Sequence, residues 1–149
     1  MLKHKGGNTV NILLVEDNPG DIELTRRALK MGKILNNLMV TEDGLEAMEI
    51  LNRTGKYRDV PKPDLILLDL NLPGKDGRAI LAEIKENPEL KTIPVVVLTS
   101  SQAEEDILKT YELHANCFIT KPVDFNSFIE VVRKIENFWF DIVQLPKGK

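Results

Sequence analysis

The sequence is short of cysteine, of histidine, of excess positive charge and of long apolar runs, and each shortage removes a class of function. Cys117 is the only cysteine among 149 residues, so no internal disulfide can form and nothing points to an oxidising compartment. Beside Phe118 and Ile119 it reads as an inert core thiol. With one cysteine and two histidines, no cluster exists to hold zinc. The formal net charge of -3 gives no basic face for DNA. No stretch approaches the ~20 apolar residues of a membrane span, and the lysine-bearing N-terminus lacks the apolar segment of a signal peptide. A cytoplasmic protein is therefore expected, with neither a membrane nor DNA as partner. Gly-rich dinucleotide and P-loop motifs are absent as well.

What is present is an alternation. Five apolar runs, ending near Asp17, Thr41, Asp69, Thr99 and Thr120, are each followed by a helical pattern. The runs "NILLVED", "LILLD" and "IPVVVLTSS" lack the polar alternation of a half-exposed strand, which is the mark of strands buried on both faces. Caps divide the helices. Asn18 with Pro19 opens the first, and Asp43 with Glu46 reads as a capping-box variant for the second, which Gly55 ends. The third begins near Gly77 and breaks at Asn87-Pro88; Ser101 with Glu104 fits a capping box for the fourth. Asp124 caps a fifth whose Phe125, Phe128 and Trp139 recur at helical spacing. Strict strand–helix alternation predicts an α/β, flavodoxin-like doubly wound fold, a five-stranded parallel sheet in the order 2-1-3-4-5. Residues 1–9 read as a flexible N-terminus, 10–140 as the folded domain and 141–149 as a C-terminal tail.

In such folds the site lies beyond the carboxyl ends of the strands, near the switch point between strands 1 and 3. The strand ends here carry Glu16-Asp17, Asp69, Thr99-Ser100 and Thr120-Lys121. Three gathered carboxylates repel one another unless neutralised, and Mg2+, a hard cation that takes oxygen ligands beside phosphate, suits them. A carboxylate beside Mg2+ can act as a nucleophile towards phosphorus, and the loose phosphoryl-transfer transition state then needs positioning and positive charge.

With these residues in view, "ILLVEDNPGD", "DLILLDLNLPGKDG", "IPVVVLTSS" and "CFITKP" together resemble the receiver domain of two-component response regulators over roughly Asn11 to Phe138. The resemblance implies Asp69 as phosphoacceptor. It implies Mg2+ held by Glu16, Asp17, Asp69 and the backbone carbonyl of Asn71. Thr99, with Ser100 beside it, is implied as the switch hydroxyl, Lys121 as the contact to the phosphoryl group, and Phe118 as a rotating aromatic or a plain core residue. Pro73, Gly77 and Pro122 are implied to shape the loops, with a cis bond before Pro122. A histidine kinase becomes the expected donor and an unknown downstream protein the reader. The segments "YELHANCFITKP" and "ENFWFDIVQLP" are similar to the stand-alone regulators that serve phytochrome-type kinases.

Only 28 residues follow Lys121, which leaves no room for an output domain and implies signalling by binding rather than turnover. Phe138, Trp139, Phe140 and Ile142 extend the apolar character beyond the sheet, which favours a homodimer through helix 5 and the tail over a tail folded back onto its own domain. Two other readings stand beside this one. An aspartyl-phosphate phosphatase of the haloacid-dehalogenase type needs a second aspartate two residues after the nucleophile, where this chain has Asn71. A flavin module must bind phosphate, which the acidic loop "EDNPGDIE" would repel.

Overall fold

The structure, a computed structural model, describes residues 9–31, 35–72, 76–109, 115 and 117–134, with only the backbone of Val132. Its elements run in the order β1 (Val10–Val15), α1 (Pro19–Met31), β2 (Asn36–Thr41), α2 (Gly44–Asn52), a 3-10 turn (Gly55–Tyr57), β3 (Leu65–Asp69), α3 (Gly77–Glu86), β4 (Val95–Thr99), α4 (Gln102–Lys109), β5 (Cys117–Thr120) and α5 (Phe125–Lys134). All strand pairs are parallel, in the order β2-β1-β3-β4-β5. This is the doubly wound fold expected from the unbroken apolar runs.

Alternate residues of each strand enter opposite layers. Ile12, Leu14, Leu65, Leu67, Val96 and Leu98 face α1 and α5, where Leu29 and Phe128 meet them. Leu13, Val15, Ile66, Leu68, Val95 and Val97 face α2, α3 and the buried Leu108 of α4. Every residue of β3 and β4 is buried, because helices cover both faces. Burying one such leucine contributes about 1.5–3 kcal/mol, so these two strands form the rigid centre of the domain. β2, at the edge, is only half buried along most of its length. Ile107 of α4 is 56% exposed although its neighbour Leu108 is buried.

Three of the expected caps form as read. Asn18 Oδ1 accepts from Asp21 N–H at 2.9 Å, Asp43 Oδ1 from Leu45 N–H at 2.7 Å, and Asp124 Oδ1 from Ser127 N–H at 2.8 Å. Two details differ. Glu46 does not close a capping box on Asp43; its carboxylate accepts from Thr41 Oγ1 and from the Tyr57 hydroxyl instead. Gly55 does not end α2 either. Arg53, in the left-handed region at φ 56°, caps it by donating to the carbonyls of Glu49 and Ile50, and Gly55 opens the 3-10 turn. A tertiary partner for Glu46 outcompetes the local one, which spacing alone does not reveal.

Gly77 is required by close approach. A Cβ there would lie 2.5 Å from Leu70 Cα and 2.9 Å from its carbonyl oxygen. Leu70 follows Asp69 directly, so the first turn of α3 is pressed against the tip of β3. Gly77→Ala is expected to lower stability by about 1–3 kcal/mol, read as a lower urea midpoint with an unchanged slope.

Candidate functional site

The carboxyl ends of β1, β3, β4 and β5 bring the candidate residues to one edge. Register does this: Val15 pairs with Leu68, Asp69 with Leu98 and Thr99 with Thr120. Backbone bonds fix the residues just past the strands. Glu16 N–H donates to Thr41 O at 2.9 Å, and Lys121 N–H to Thr99 O at 2.7 Å. The Lys121–Pro122 bond is cis.

Lys121 lies at the centre. Its Nζ is 2.9 Å from Asp69 Oδ2, 2.9 and 3.1 Å from the two oxygens of Glu16, and 3.1 Å from Asp21 Oδ2. Of the Glu16 oxygens only Oε2 receives a hydrogen bond; Oε1 is buried and has none. Burial alone would pull the Lys121 ammonium down, but hydrogen bonds to Glu16 and Asp69 and their charges outweigh it, and its pKa stands above the ordinary lysine value. Burial pushes the Glu16 carboxyl up to about 7; the bond from Lys121 pulls the other way and the charge of Asp69 adds to the rise.

Glu16, Asp17 and Asp69 each offer an oxygen within 4.8 Å of the others, with Asp17 exposed and the other two buried. Two like charges at that spacing repel by about 3–4 kcal/mol at an effective dielectric near 20. Among the described residues, the Lys121 ammonium set against these three acids and Asp21 leaves an excess of negative charge. An all-oxygen donor set with surplus negative charge fits a hard divalent cation.

Both oxygens of Asp69 have partners. Oδ2 contacts Lys121, and Oδ1 accepts from Asn71 N–H at 2.9 Å. Thr99 is fully buried, and its hydroxyl lies 3.4 Å from Ile119 O and 3.4 Å from Thr120 Oγ1, facing β5. Ser100 is exposed and bonded to Glu104. Phe118 is half-buried against the α2/α3 layer, with Lys109 Nζ 5.7 Å from its ring centroid. Cys117 is half-buried as well, and burial raises its thiol. Pro122 is exposed. Pro73, and the dimer candidates Phe138, Trp139, Phe140 and Ile142, lie outside the described residues, as does the tail 141–149.

Sequence reasoning missed Asp21 as a partner of Lys121. The signal was faint: Asp21 is an acid in the first turn of α1, just past the strand end that carries Glu16 and Asp17. It also took Glu104 for a plain capping residue. The half-met capping box was the available hint, since Glu104 N–H donates to Ser101 Oγ at 3.1 Å while the carboxylate goes elsewhere.

The response regulator receiver domain family matches residues 12–133. Response regulator Rcp1 of Synechocystis is 52% identical over 135 residues, which cover 91% of this chain and 92% of Rcp1. The crystal structure of Rcp1 in its Mn2+-bound form superposes with a TM-score of 0.71 at 51% identity, over 92% of this chain and 99% of that one. The phosphorylated cyanobacterial phytochrome response regulator RcpA does so at 0.73 and 48% identity, over 93% and 99%. The bacteriophytochrome response regulator AtBRR reaches 0.83 at 44% identity, over 94% and 99%.

Lys121→Met keeps the aliphatic stem but leaves Glu16 and Asp69 without their counter-charge. Without divalent cations this variant is expected to lose about 3 kcal/mol of stability by urea unfolding, with Asp69→Asn added in the same chain restoring part of it.

Proposed function

The chain belongs to the response regulator receiver family, and from that premise we propose that it accepts a phosphoryl group on Asp69 from a histidine kinase and signals through a phosphorylation-dependent change in protein–protein binding. The observation that carries this reading is the setting of Asp69. It is a carboxylate only 4% exposed, at the tip of a fully buried strand, 2.9 Å from an ammonium and beside two further acids.

An oxygen of Asp69 attacks the phosphorus. One O–P bond forms as the P–N bond to a donor histidine, or the P–O bond to the acetate of acetyl phosphate, breaks and carries its electron pair to the leaving group. Glu16, Asp17, Asp69 and the backbone carbonyl of Asn71 would hold Mg2+, which when bound offsets the charge of the phosphoryl oxygens. Lys121 binds one of those oxygens. Thr99 turns from β5 to donate to another, Ser100 moves with it, and Phe118 follows into the space this opens. Gly77 and Pro122 hold the loops that shape the site. Rcp1 crystallised with Mn2+ and RcpA crystallised phosphorylated support the metal and the modification.

The names of RcpA and AtBRR point to a phytochrome-type kinase as the donor. The product is a changed surface read by a downstream protein, in keeping with a family of phosphoacceptors rather than turnover enzymes. Asn71 stands where a phosphatase of the haloacid-dehalogenase type needs its second aspartate, which argues against hydrolysis of a separate substrate. Among the described residues no helix is long and apolar enough to cross a membrane, in keeping with work in the cytoplasm. The apolar residues Phe138, Trp139, Phe140 and Ile142 favour pairing of two copies through α5 and the tail.

With Mg2+ and acetyl phosphate, intact-mass measurement is expected to find one added phosphoryl group on the wild type and none on Asp69→Asn; equal labelling of the two would remove Asp69 from its role. Light scattering at tens of micromolar is expected to report a dimer, which a replacement of Trp139 and Phe140 by serine returns to monomer.

A further inference from the structure

Three side-chain hydrogen bonds converge on one carboxylate in the first turn of α4. Glu104 Oε1 accepts from the Ser100 backbone N–H at 2.6 Å and from the Ser100 hydroxyl at 2.9 Å. Glu104 Oε2 accepts from Asn71 Nδ2 at 2.9 Å. Its neighbour Glu105 accepts from Thr120 Oγ1 at 3.0 Å. Asn71 stands two residues after Asp69, Ser100 directly after Thr99, and Thr120 directly before Lys121. One turn of helix therefore ties together the loops that follow β3 and β4 and the end of β5.

This is not an ordinary cap. A capping box would send the Glu104 carboxylate to the backbone N–H of Ser101, yet it reaches one residue further back, to Ser100. The bond from the Ser100 backbone, above all, holds the Glu104 carboxyl below the ordinary glutamate value, so it is an anion at neutral pH. Meanwhile the Thr99 hydroxyl lies 3.4 Å from both Ile119 O and Thr120 Oγ1, on the β5 side. Ser100 follows Thr99 directly, so its backbone bond to Glu104 holds the turn on which Thr99 ends. Ser100 is held by both its N–H and its hydroxyl, on a carboxylate that is itself anchored to the loop of the nucleophile.

We propose that Glu104 is a positioning residue for phosphoryl transfer, a clasp between Asn71 and Ser100 that keeps Thr99 turned towards β5 and opens when the phosphoryl group is engaged. This rests on the reading of Asp69 as phosphoacceptor. Removing the clasp makes the engaged arrangement easier to reach and so speeds phosphorylation. Coupling between two states of such an element is worth roughly fivefold or more in their equilibrium, and labelling that proceeds through the engaged arrangement gains with its population.

The test compares wild type, Glu104→Ala, Glu104→Gln and Ser101→Ala. Phosphorylation by acetyl phosphate with Mg2+ is followed by intact mass, and Mg2+ affinity is measured separately. Ser101→Ala removes the bond that caps α4 and leaves the clasp intact, so it separates helix fraying from clasp release. Expected are at least roughly fivefold faster labelling of the Glu104 variants, unchanged Mg2+ affinity, and the wild-type rate for Ser101→Ala. Acceleration in either Glu104 variant with these controls upholds the proposal. Rates at or below wild type in both Glu104 variants, altered Mg2+ affinity in both, or equal acceleration by Ser101→Ala would overturn it, while a labelled wild type leaves the role of Asp69 standing. A wild type that takes no phosphoryl group at all defeats both readings together.

Discussion

The carboxyl edge of this sheet is organised by one ammonium among carboxylates. Lys121 contacts Glu16, Asp21 and Asp69, which reach it from the end of β1, the first turn of α1 and the end of β3. Glu16 and Asp69 stand at the ends of their strands and Asp21 at the start of its helix. The parallel sheet forces their ends together, and the repulsion that follows has to be met by the lysine, by a proton on Glu16 or by a bound cation. The exposed Asp17 and the buried Glu16 and Asp69 share an edge with more negative charge than Lys121 offsets.

The two central strands make that crowding possible. Their side chains are buried on both faces, so the sheet does not relax by tilting a strand away from its neighbours. Gly77 adds to the constraint, because the start of α3 rests directly on the backbone just beyond Asp69. A carboxylate carried on a loop would swing towards water and lose its unusual setting. One carried on this strand stays within 3 Å of the lysine, as its 2.9 Å contact records.

The strands and their order were legible because burial on two faces leaves an unbroken apolar run, and because strict alternation with helices admits few topologies. The strand ends were legible for the same reason: the first polar residue after each run marks the edge. Side-chain partners across the fold were much less so. Glu46 sits three residues after Asp43 and looks like a local cap, yet the structure joins it to Tyr57, eleven residues further along. Glu104 likewise looks like a helix cap until Asn71, 33 residues earlier, is brought beside it. Asp21 is an ordinary acid in a first helical turn until Lys121 arrives from the other end of the chain. Spacing reports what a residue can do with its neighbours in sequence; a tertiary competitor with better geometry overrides it.

Lys121 owes its place to several anions rather than one. A cation with a single buried partner is stranded when that partner changes its chemistry, and the cost of stranding a charge in the interior is high. Here the loss of an oxygen on Asp69 would leave Glu16 and Asp21 still within 3.1 Å. The side chain can thus change allegiance without a period of isolation. Redundancy of this kind turns a static counter-ion into a handover point, able to remain charged and buried while the group beside it is exchanged.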